Sequence, residues 1–235
     1  MPPIPGIEKI VSITRLPPII LVNIGTMIFI SGSMEFRIPW LIVALRSVRP
    51  FVLAKSIKSE LIVSANSALR YLVTRAMRWR IGILKEHGLG LKEIQETIEK
   101  IDPLPGAKEF LDKLRELGQV IIISDTFTQF AKPLMKKLGW PTIFCNSLEV
   151  APDGEITGFK MRIEKSKYTT VKALQSIGFE TIASGDSYND LGMIEASKAG
   201  FLFRSTEQIK KDHPEITAFE TYDELFEAIK KAMEE

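Results

Sequence analysis

Residues 120–126 read VIIISDT, and this stretch decides the fold. Its β-branched apolar run is too short for a helix and lacks the alternation of a half-exposed strand. Such a run is typical of a strand that helices cover on both faces, as in a parallel sheet. Polar residues follow it at once, and ligands of open α/β sheets lie beyond the carboxyl ends of the strands. The stretch therefore predicts a buried strand that ends at a functional edge.

The residues around this strand alternate between strand and helix patterns. Apolar periodicity and terminal glycines predict helices over residues 78–87, 91–100, 106–118, 130–138, 169–177, 189–197 and 222–233. Short apolar runs predict strands over 120–123, 142–145, 181–183 and 201–203, and Asp153-Gly154 predicts a hairpin within 148–162. This alternation predicts an α/β fold with a doubly wound parallel sheet.

The charge balance divides the chain into two unlike parts. Residues 1–77 carry nine basic and three acidic groups, whereas the remainder carries 22 basic and 26 acidic groups. No aspartate precedes Asp102. The total net charge is only +2, so nothing in it indicates a nucleic-acid partner. The asymmetry indicates that the first third of the chain has a composition of its own.

The cysteine content and the longest uncharged run bear on location. Cys145 is the one cysteine, so no internal disulfide can form, and a reducing compartment such as the cytoplasm is expected. Leu16–Met34 carries no charge and is long enough to cross a bilayer. Prolines, glycines and an asparagine dilute this run, and its β-branched character favours a buried strand instead. A membrane span stays an alternative.

Polar and charged residues follow two of the predicted strands. Ser124–Thr126 follows the first, and Gly185–Asp190, which reads GDSYND, follows the strand at 181–183. The basic residues Lys160, Arg162, Lys165 and Lys167 lie between them. Each feature has an ordinary alternative: a helix cap at Ser124, a capping box from Ser187 to Asp190, and a solvated basic face. Together, and at strand ends, they predict one site that combines a hydroxyl, an amine and two carboxylates.

These three groups, in this order, resemble motifs two, three and four of haloacid-dehalogenase-type phosphatases. Residues 77–235 as a whole resemble the phosphoserine phosphatase branch that also acts as a homoserine phosphotransferase. Further similarity lies in the stretches HGL at 87–89, LPGA at 104–107 and SDTF at 124–127. The resemblance implies a Rossmannoid phosphatase core over 103–235, a small helical cap remnant over 77–102, and an atypical N-terminal segment over 1–76.

The resemblance also implies a role for each site residue. The Ser124 hydroxyl and the backbone N–H of Asp125 would hold phosphate oxygens, and Asn189 would hydrogen-bond to the phosphate. Lys167 would offset negative charge, which suits phosphoryl transfer because that chemistry depends on positioning and charge neutralisation. Asp186 and Asp190 would ligate Mg²⁺, with Asp190 also orienting Lys167 or a metal-bound water. Gly185 would permit the turn that places Asp186 at the strand end.

One motif of the family is missing. The first motif is Asp-x-(Asp or Glu)-Gly, whose first carboxylate attacks phosphorus, and this chain has no aspartate in that region. Three hypotheses remain open. The first third is foreign to the family, for example through a reading-frame error; or Ile19–Thr26 is a degenerate first motif with Val22 and Ile24 at the carboxylate positions; or the segment is an unrelated anchor or partner segment.

These observations leave three functional hypotheses. The resemblance implies a Mg²⁺-dependent phosphomonoester hydrolase that acts on phosphoserine, a small phosphorylated amino acid, with possible transfer to homoserine. The missing nucleophile instead suggests a catalytically inactive phospho-ligand-binding or regulatory protein. A membrane-tethered protein is the third. The first two differ in whether an acidic side chain from the N-terminal third, which offers only Glu8, Glu35 and Glu60, approaches Asp186.

Overall fold

The computed structural model describes residues 19–23, 75, 77–163 and 166–234. Contacts group the described residues into a core unit, formed from residues 19–23, 98–147, 161–163 and 166–234, and a second unit, formed from residues 75, 77–97 and 148–160. In this part of the chain the division between the two units falls between Thr97 and Ile98. The hairpin joins the second unit because Leu91 N donates to Gly154 O at 2.9 Å and Lys85 pairs with Glu155 at 2.8 Å.

A seven-stranded sheet organises the described residues. Its spatial order is β4-β3-β2-β1-β5-β6-β7. The strands are β1 (Ile19–Asn23), β2 (Gln119–Phe127), β3 (Thr142–Val150), β4 (Ile156–Lys160), β5 (Thr181–Gly185), β6 (Ala199–Phe203) and β7 (Ala218–Phe219). The pairs β1–β2, β1–β5, β2–β3, β5–β6 and β6–β7 are parallel. The prediction of a doubly wound parallel α/β sheet is confirmed.

Helices connect these strands. They are α1 (residues 77–86), α2 (Leu91–Ile98), α3 (Ala107–Leu117), α4 (Thr128–Lys137), α5 (Ser166–Ser176), α6 (Leu191–Ala196), α7 (Glu207–Asp212) and α8 (Tyr222–Glu234), and a 3₁₀ turn spans Tyr188–Asp190. None of the described helices is long and apolar enough to cross a membrane. Most of the predicted helices and strands are present, with ends that shift by a few residues.

The central strand comes from the atypical N-terminal segment. β1 lies between β2 and β5, and its residues Ile20, Leu21 and Val22 are fully buried. The aliphatic run therefore forms the middle of the sheet. The hypothesis of a degenerate first motif requires this position for the first residues of Ile19–Thr26. The rest of that hypothetical motif, Ile24–Thr26, and the three N-terminal glutamates lie outside the described residues.

Apolar layers cover the sheet on both faces. One layer joins β1 and β2 side chains such as Val22 and Ile122 to helices α3, α4 and α8. The other joins Leu21 and Ile123 to α5, α6 and α7. The alternation of neighbouring β1 residues between the two layers follows from the two-residue period of a strand. Burial on both faces explains why the strands read as unbroken apolar runs.

Two elements escaped the sequence patterns, and one strand exceeds its predicted length. Helix α7 buries only Ile209 and begins at a Thr206 cap, so its apolar periodicity is too weak to detect. Strand β7 has two residues. β2 continues through Ser124–Thr126 to Phe127, with a register shift against β3 between Ile123 and Phe127. The polar residues hide this continuation because they interrupt the apolar run that marks the strand.

Candidate active site

Strands β2 and β5 deliver their polar residues to the same edge of the sheet. Asn23 pairs with Ile123 of β2, and Val22 pairs with Ser184 of β5, all in parallel. Ser124 and Asp186 therefore both lie just beyond the level that Asn23 marks on the central strand. The structure thus brings together, at the carboxyl edge, the residues that the sequence placed after separate strands.

A buried ion pair lies at this edge. The ammonium Nζ of Lys167, on α5, lies 2.6 Å from Oδ1 of Asp190, and the two side chains are 7% and 0% exposed. The same Nζ lies 3.7 Å from Oδ2 of Asp125, whose side chain is half exposed. Charges so far removed from water need well-matched partners, because their desolvation is costly. Lys167 therefore has a fixed position, with Asp125 on its solvent side.

Asp190 also closes the loop that precedes it. Its Oδ2 accepts hydrogen bonds from Asp186 N at 3.1 Å, Ser187 N at 3.0 Å and Ser187 Oγ at 2.8 Å. Ser187 and Asp190 form the capping box that the sequence suggested as the ordinary alternative. Asp190 therefore fits both hypotheses from the sequence: it caps the 3₁₀ turn, and it contacts Lys167. Its carboxylate holds the loop with one oxygen and the lysine with the other.

Gly185 is required for a reason other than the predicted tight turn. A Cβ atom built at Gly185 would lie 2.4 Å from both Cβ and Cγ of Asp190. Its backbone does not adopt the left-handed conformation that favours glycine. The absence of a side chain at position 185 is what lets the Asp190 carboxylate fold back over the strand end.

The polar end of β2, Ser124–Thr126, is anchored by a residue that the sequence patterns did not single out. Ser124 is buried, and its Oγ accepts a hydrogen bond from Thr126 N at 3.2 Å. Asn146 of β3, only 2% exposed, donates from Nδ2 to the carbonyl of Asp125 at 2.9 Å. Asn189, in contrast, is exposed. Asn146 directly follows the strand predicted over 142–145, so its sequence signal was again a polar residue at the end of a strand.

Arg162 links the basic stretch to the same place. Its backbone N donates to Asn146 Oδ1 at 3.0 Å, and its Nη2 donates to Thr170 Oγ1 of α5 at 2.6 Å. The guanidinium stacks over the Phe144 ring at 5.1 Å. Burial lowers the pKa of Arg162 from its ordinary value, and the nearby Cys145 and Asp125 oppose that effect. Arg162 is therefore an integral part of the site, whereas a basic residue on a hairpin is usually solvated.

The described carboxylates do not complete a magnesium site. Mg²⁺ prefers six oxygen ligands, usually one or two carboxylates with waters and phosphate oxygens. Asp190 uses both carboxylate oxygens for Lys167 and for the loop, which leaves Asp186, half-buried, as the better placed candidate. Across the described residues, no group of three or more His, Cys, Asp or Glu side chains could hold a metal ion. This donor set alone does not fit the ion.

The register of β1 also bears on the missing nucleophile. Val22 pairs with Ile122 and Ser184, each two residues before the site residues Ser124 and Asp186. Two residues of strand correspond to about 7 Å. A carboxylate at position 22 would therefore point into the apolar layer around Ile20 and Ile122, below the site. The proposed match of Val22 to the nucleophile position disagrees with this register.

Comparison with known proteins identifies the family. The family model described as haloacid dehalogenase-like hydrolase matches residues 62–198, more than half of the chain. The chain belongs to the haloacid dehalogenase-like hydrolases. Within this family it is 44% identical over 156 residues to phosphoserine phosphatase ThrH of Pseudomonas aeruginosa, a match that covers 66% of this chain and 76% of that protein. It is 42% identical over 156 residues to a phosphoserine phosphatase of Pseudomonas syringae pv. tomato, covering 66% of each.

Solved structures of phosphoserine phosphatases share the fold. An apo phosphoserine phosphatase aligns with a TM-score of 0.61 at 22% identity, over 91% of this chain and 98% of the other. A substrate-bound phosphoserine phosphatase complex aligns with a TM-score of 0.61, over 92% and 99%. These likenesses confirm the Rossmannoid α/β core. The resemblance to the phosphoserine phosphatase branch is confirmed by the sequence relatives.

Proposed function

We propose that this hydrolase binds small phosphorylated amino acids, phosphoserine in the first place, at the carboxyl edge of its sheet. The observation that carries the proposal is the buried Lys167–Asp190 pair, whose ammonium also lies 3.7 Å from the carboxylate of Asp125, the residue after Ser124. A cation fixed at 2.6 Å from its counter-ion needs no reorganisation to receive a phosphate, which is the arrangement that favours electrostatic stabilisation. The two Pseudomonas relatives are named phosphoserine phosphatases, which supports the choice of substrate.

The proposed reaction is hydrolysis of the phosphate ester. The ester P–O bond breaks, the phosphoryl group passes to water, and serine and inorganic phosphate are released. Ser124 Oγ and the Asp125 N–H would hold two phosphate oxygens, with Asn189 as a further donor from the exposed loop. Lys167 would balance the charge of the phosphate while Asp190 keeps it in place. Each of these roles uses hydrogen bonding or charge rather than covalent chemistry.

The proposal includes a low turnover rate for the chain as written. The family's attacking carboxylate has no counterpart at Val22, which is fully buried in an apolar layer. Loss of a covalent nucleophile typically removes several orders of magnitude of rate, because water must then attack directly. Mg²⁺, the cofactor that the resemblance implies, would neutralise phosphate charge. We expect it to bind weakly, because Asp190 uses both carboxylate oxygens for Lys167 and for the loop, so Asp186 is the better placed of the two proposed ligands.

Binding and turnover test this proposal separately. Isothermal titration calorimetry with O-phosphoserine should show binding that Ser124→Ala weakens about tenfold, the effect of one lost hydrogen bond to a charged group. Ser197→Ala is the control, because Ser197 Oγ bonds to Met193 O in the connection that leads into β6, at the other end of the strands. Phosphate release should be slow in both. Equal affinities in Ser124→Ala and the wild type would reject the site.

Homoserine is a second proposed acceptor. The resemblance is to a branch that also acts as a homoserine phosphotransferase, so homoserine would take the phosphoryl group in place of water. Phosphorus NMR of a reaction with phosphoserine and homoserine should then show phosphohomoserine beside inorganic phosphate. Release of inorganic phosphate alone, at a rate that homoserine does not change, would restrict the proposal to hydrolysis.

A further inference from the structure

We propose that Asn146 is a positioning residue that sets the distance between the proposed phosphate-binding residues at the end of β2, Ser124 and Asp125, and the Lys167 ammonium. This inference rests on the proposed phosphate site and adds a residue that belongs to none of the motifs described above. Asn146 lies on β3, next to the strand that carries Ser124, and is 2% exposed.

The Asn146 side chain joins two segments that contribute to the site. Its Nδ2 donates to the Asp125 carbonyl at 2.9 Å, directly after Ser124. Its Oδ1 accepts from the backbone N of Arg162 at 3.0 Å, on the segment that leads towards α5. Both the donor and the acceptor of this buried amide are therefore used, one on each side.

Arg162 extends this connection to the lysine helix. Its Nη2 donates to Thr170 Oγ1 at 2.6 Å, and Thr170 is itself buried. Thr170 lies three residues after Lys167 on α5, so the two side chains lie on neighbouring positions of one helix face. A set of partly buried hydrogen bonds thus runs from Asp125, next to Ser124, through Asn146 and Arg162 to the helix that carries Lys167.

The Asn146 contact matters because the pairing of β2 with β3 is interrupted beside Ser124. The ladder between β2 and β3 is irregular between Ile123 and Phe127. It resumes at Phe127, which pairs with Asn146. The interval Ser124–Thr126 therefore lacks the regular ladder hydrogen bonds to β3 that would otherwise hold it. The Asn146 amide supplies a contact from β3 to this interval. A phosphate held by both Ser124 and Lys167 requires their spacing to be kept within a fraction of an ångström.

The decisive variant is Asn146→Asp. It keeps an oxygen for Arg162 N but replaces the NH₂ donor with an oxygen that faces the Asp125 carbonyl. The matched control is Gln175→Glu on α5, because Gln175 Nε2 donates to the Ala196 carbonyl at 2.6 Å, away from the carboxyl edge. Both changes set a carboxylate against a backbone carbonyl, so both should lower the melting temperature.

Two measurements on the full chain distinguish a positioning role from a structural one. Hydrogen–deuterium exchange should increase in the peptide over 119–127 for Asn146→Asp and not for Gln175→Glu. Affinity for inorganic phosphate, measured by calorimetry, should fall about tenfold in Asn146→Asp and stay unchanged in the control.

Other outcomes are equally informative. Unchanged exchange over 119–127, or equal losses of phosphate affinity in the two variants, would overturn the positioning role. If the wild type binds no phosphate, the proposed function fails, and so does the part of this inference that concerns phosphate affinity. The exchange result still decides whether Asn146 holds the Ser124–Thr126 end of β2.

Discussion

The Lys167 ammonium lies 2.6 Å from the Asp190 carboxylate, and neither side chain has more than a few per cent of its surface exposed. The pair joins helix α5 to the loop after β5, so it is both an anchor of the fold and the charged centre of the proposed site. Removing one partner from a buried pair is far more costly than removing an exposed pair, because an uncompensated charge is left behind.

Lys167→Met should therefore reduce the free energy of unfolding by about 3–5 kcal/mol. The double variant Lys167→Met with Asp190→Asn should recover part of this loss, because it also removes the stranded charge. Urea denaturation measures both. Lys198→Met, which breaks the more exposed pair with Glu180, is the control and should cost about 1 kcal/mol or less. Similar losses of unfolding free energy for Lys167→Met and Lys198→Met would show that the buried pair contributes no more to stability than the exposed one.

Gly185→Ala should displace the Asp190 carboxylate, since the new Cβ would lie 2.4 Å from its Cβ and Cγ. Overpacking of this kind typically costs about 1–3 kcal/mol in unfolding free energy. Gly192→Ala, whose Cβ would meet Tyr168 at an ordinary 3.5 Å, is the matched control and should change stability by less than about 1 kcal/mol. Phosphate affinity should fall only in Gly185→Ala. Wild-type affinity in that variant would mean that the Asp190 position does not affect binding.

A restored nucleophile should work only at the correct level of the central strand. Val22→Asp should destabilise the chain by several kcal/mol without raising turnover, because it buries a carboxylate among Ile20 and Ile122. Replacing residues 1–76 with the N-terminal segment of a family member should restore Mg²⁺-dependent phosphate release. Ile24→Asp tests a carboxylate placed beyond Asn23. Assays of O-phosphoserine hydrolysis decide this, and restored activity in Val22→Asp would contradict the register argument.

The wild-type chain supplies the reference for those variants. We expect turnover of O-phosphoserine several orders of magnitude below that of the family-terminus chimera. Asp186→Ala should abolish the activity of the chimera, because it removes the proposed metal ligand. Fast phosphate release by the unmodified chain that is also lost in Asp186→Ala would show that another group replaces the nucleophile.

Cys145 should be a slow thiol at neutral pH. Burial raises the pKa of its thiol above the ordinary value, and this outweighs the opposite effects of the Thr128 hydrogen bond and the Arg162 charge. A raised pKa means less thiolate at a given pH, and thiolate is the reactive form. Reaction with a disulfide reagent should therefore be slower than that of the urea-unfolded chain at pH 8, with the difference shrinking as pH rises. Faster reaction in the folded chain would contradict this.

Local patterns determined much of the fold from the sequence alone. In VIIISDT, and in the strand at 181–183 with the following GDSYND, an apolar run is followed directly by polar residues. Neighbouring residues therefore indicate both that the segment is a strand and that its polar residues lie at the carboxyl edge of the sheet. The Ser187–Asp190 capping box is local as well. Helix α7 was missed because it buries a single apolar residue, so no periodicity marks it.

The tertiary structure decided what depends on segments far apart in the chain. The contacts of Asn146 with Asp125 and Arg162 span 21 and 16 residues. The pairing of Val22 with Ser184 depends on the register between two strands. The apolar run of one strand is compatible with several registers, so the sequence does not fix this pairing. The sequence by itself determined which residue types reach the carboxyl edge of the sheet. Packing alone determined their spacing, because distances between strands and helices are set by contacts that no single segment contains.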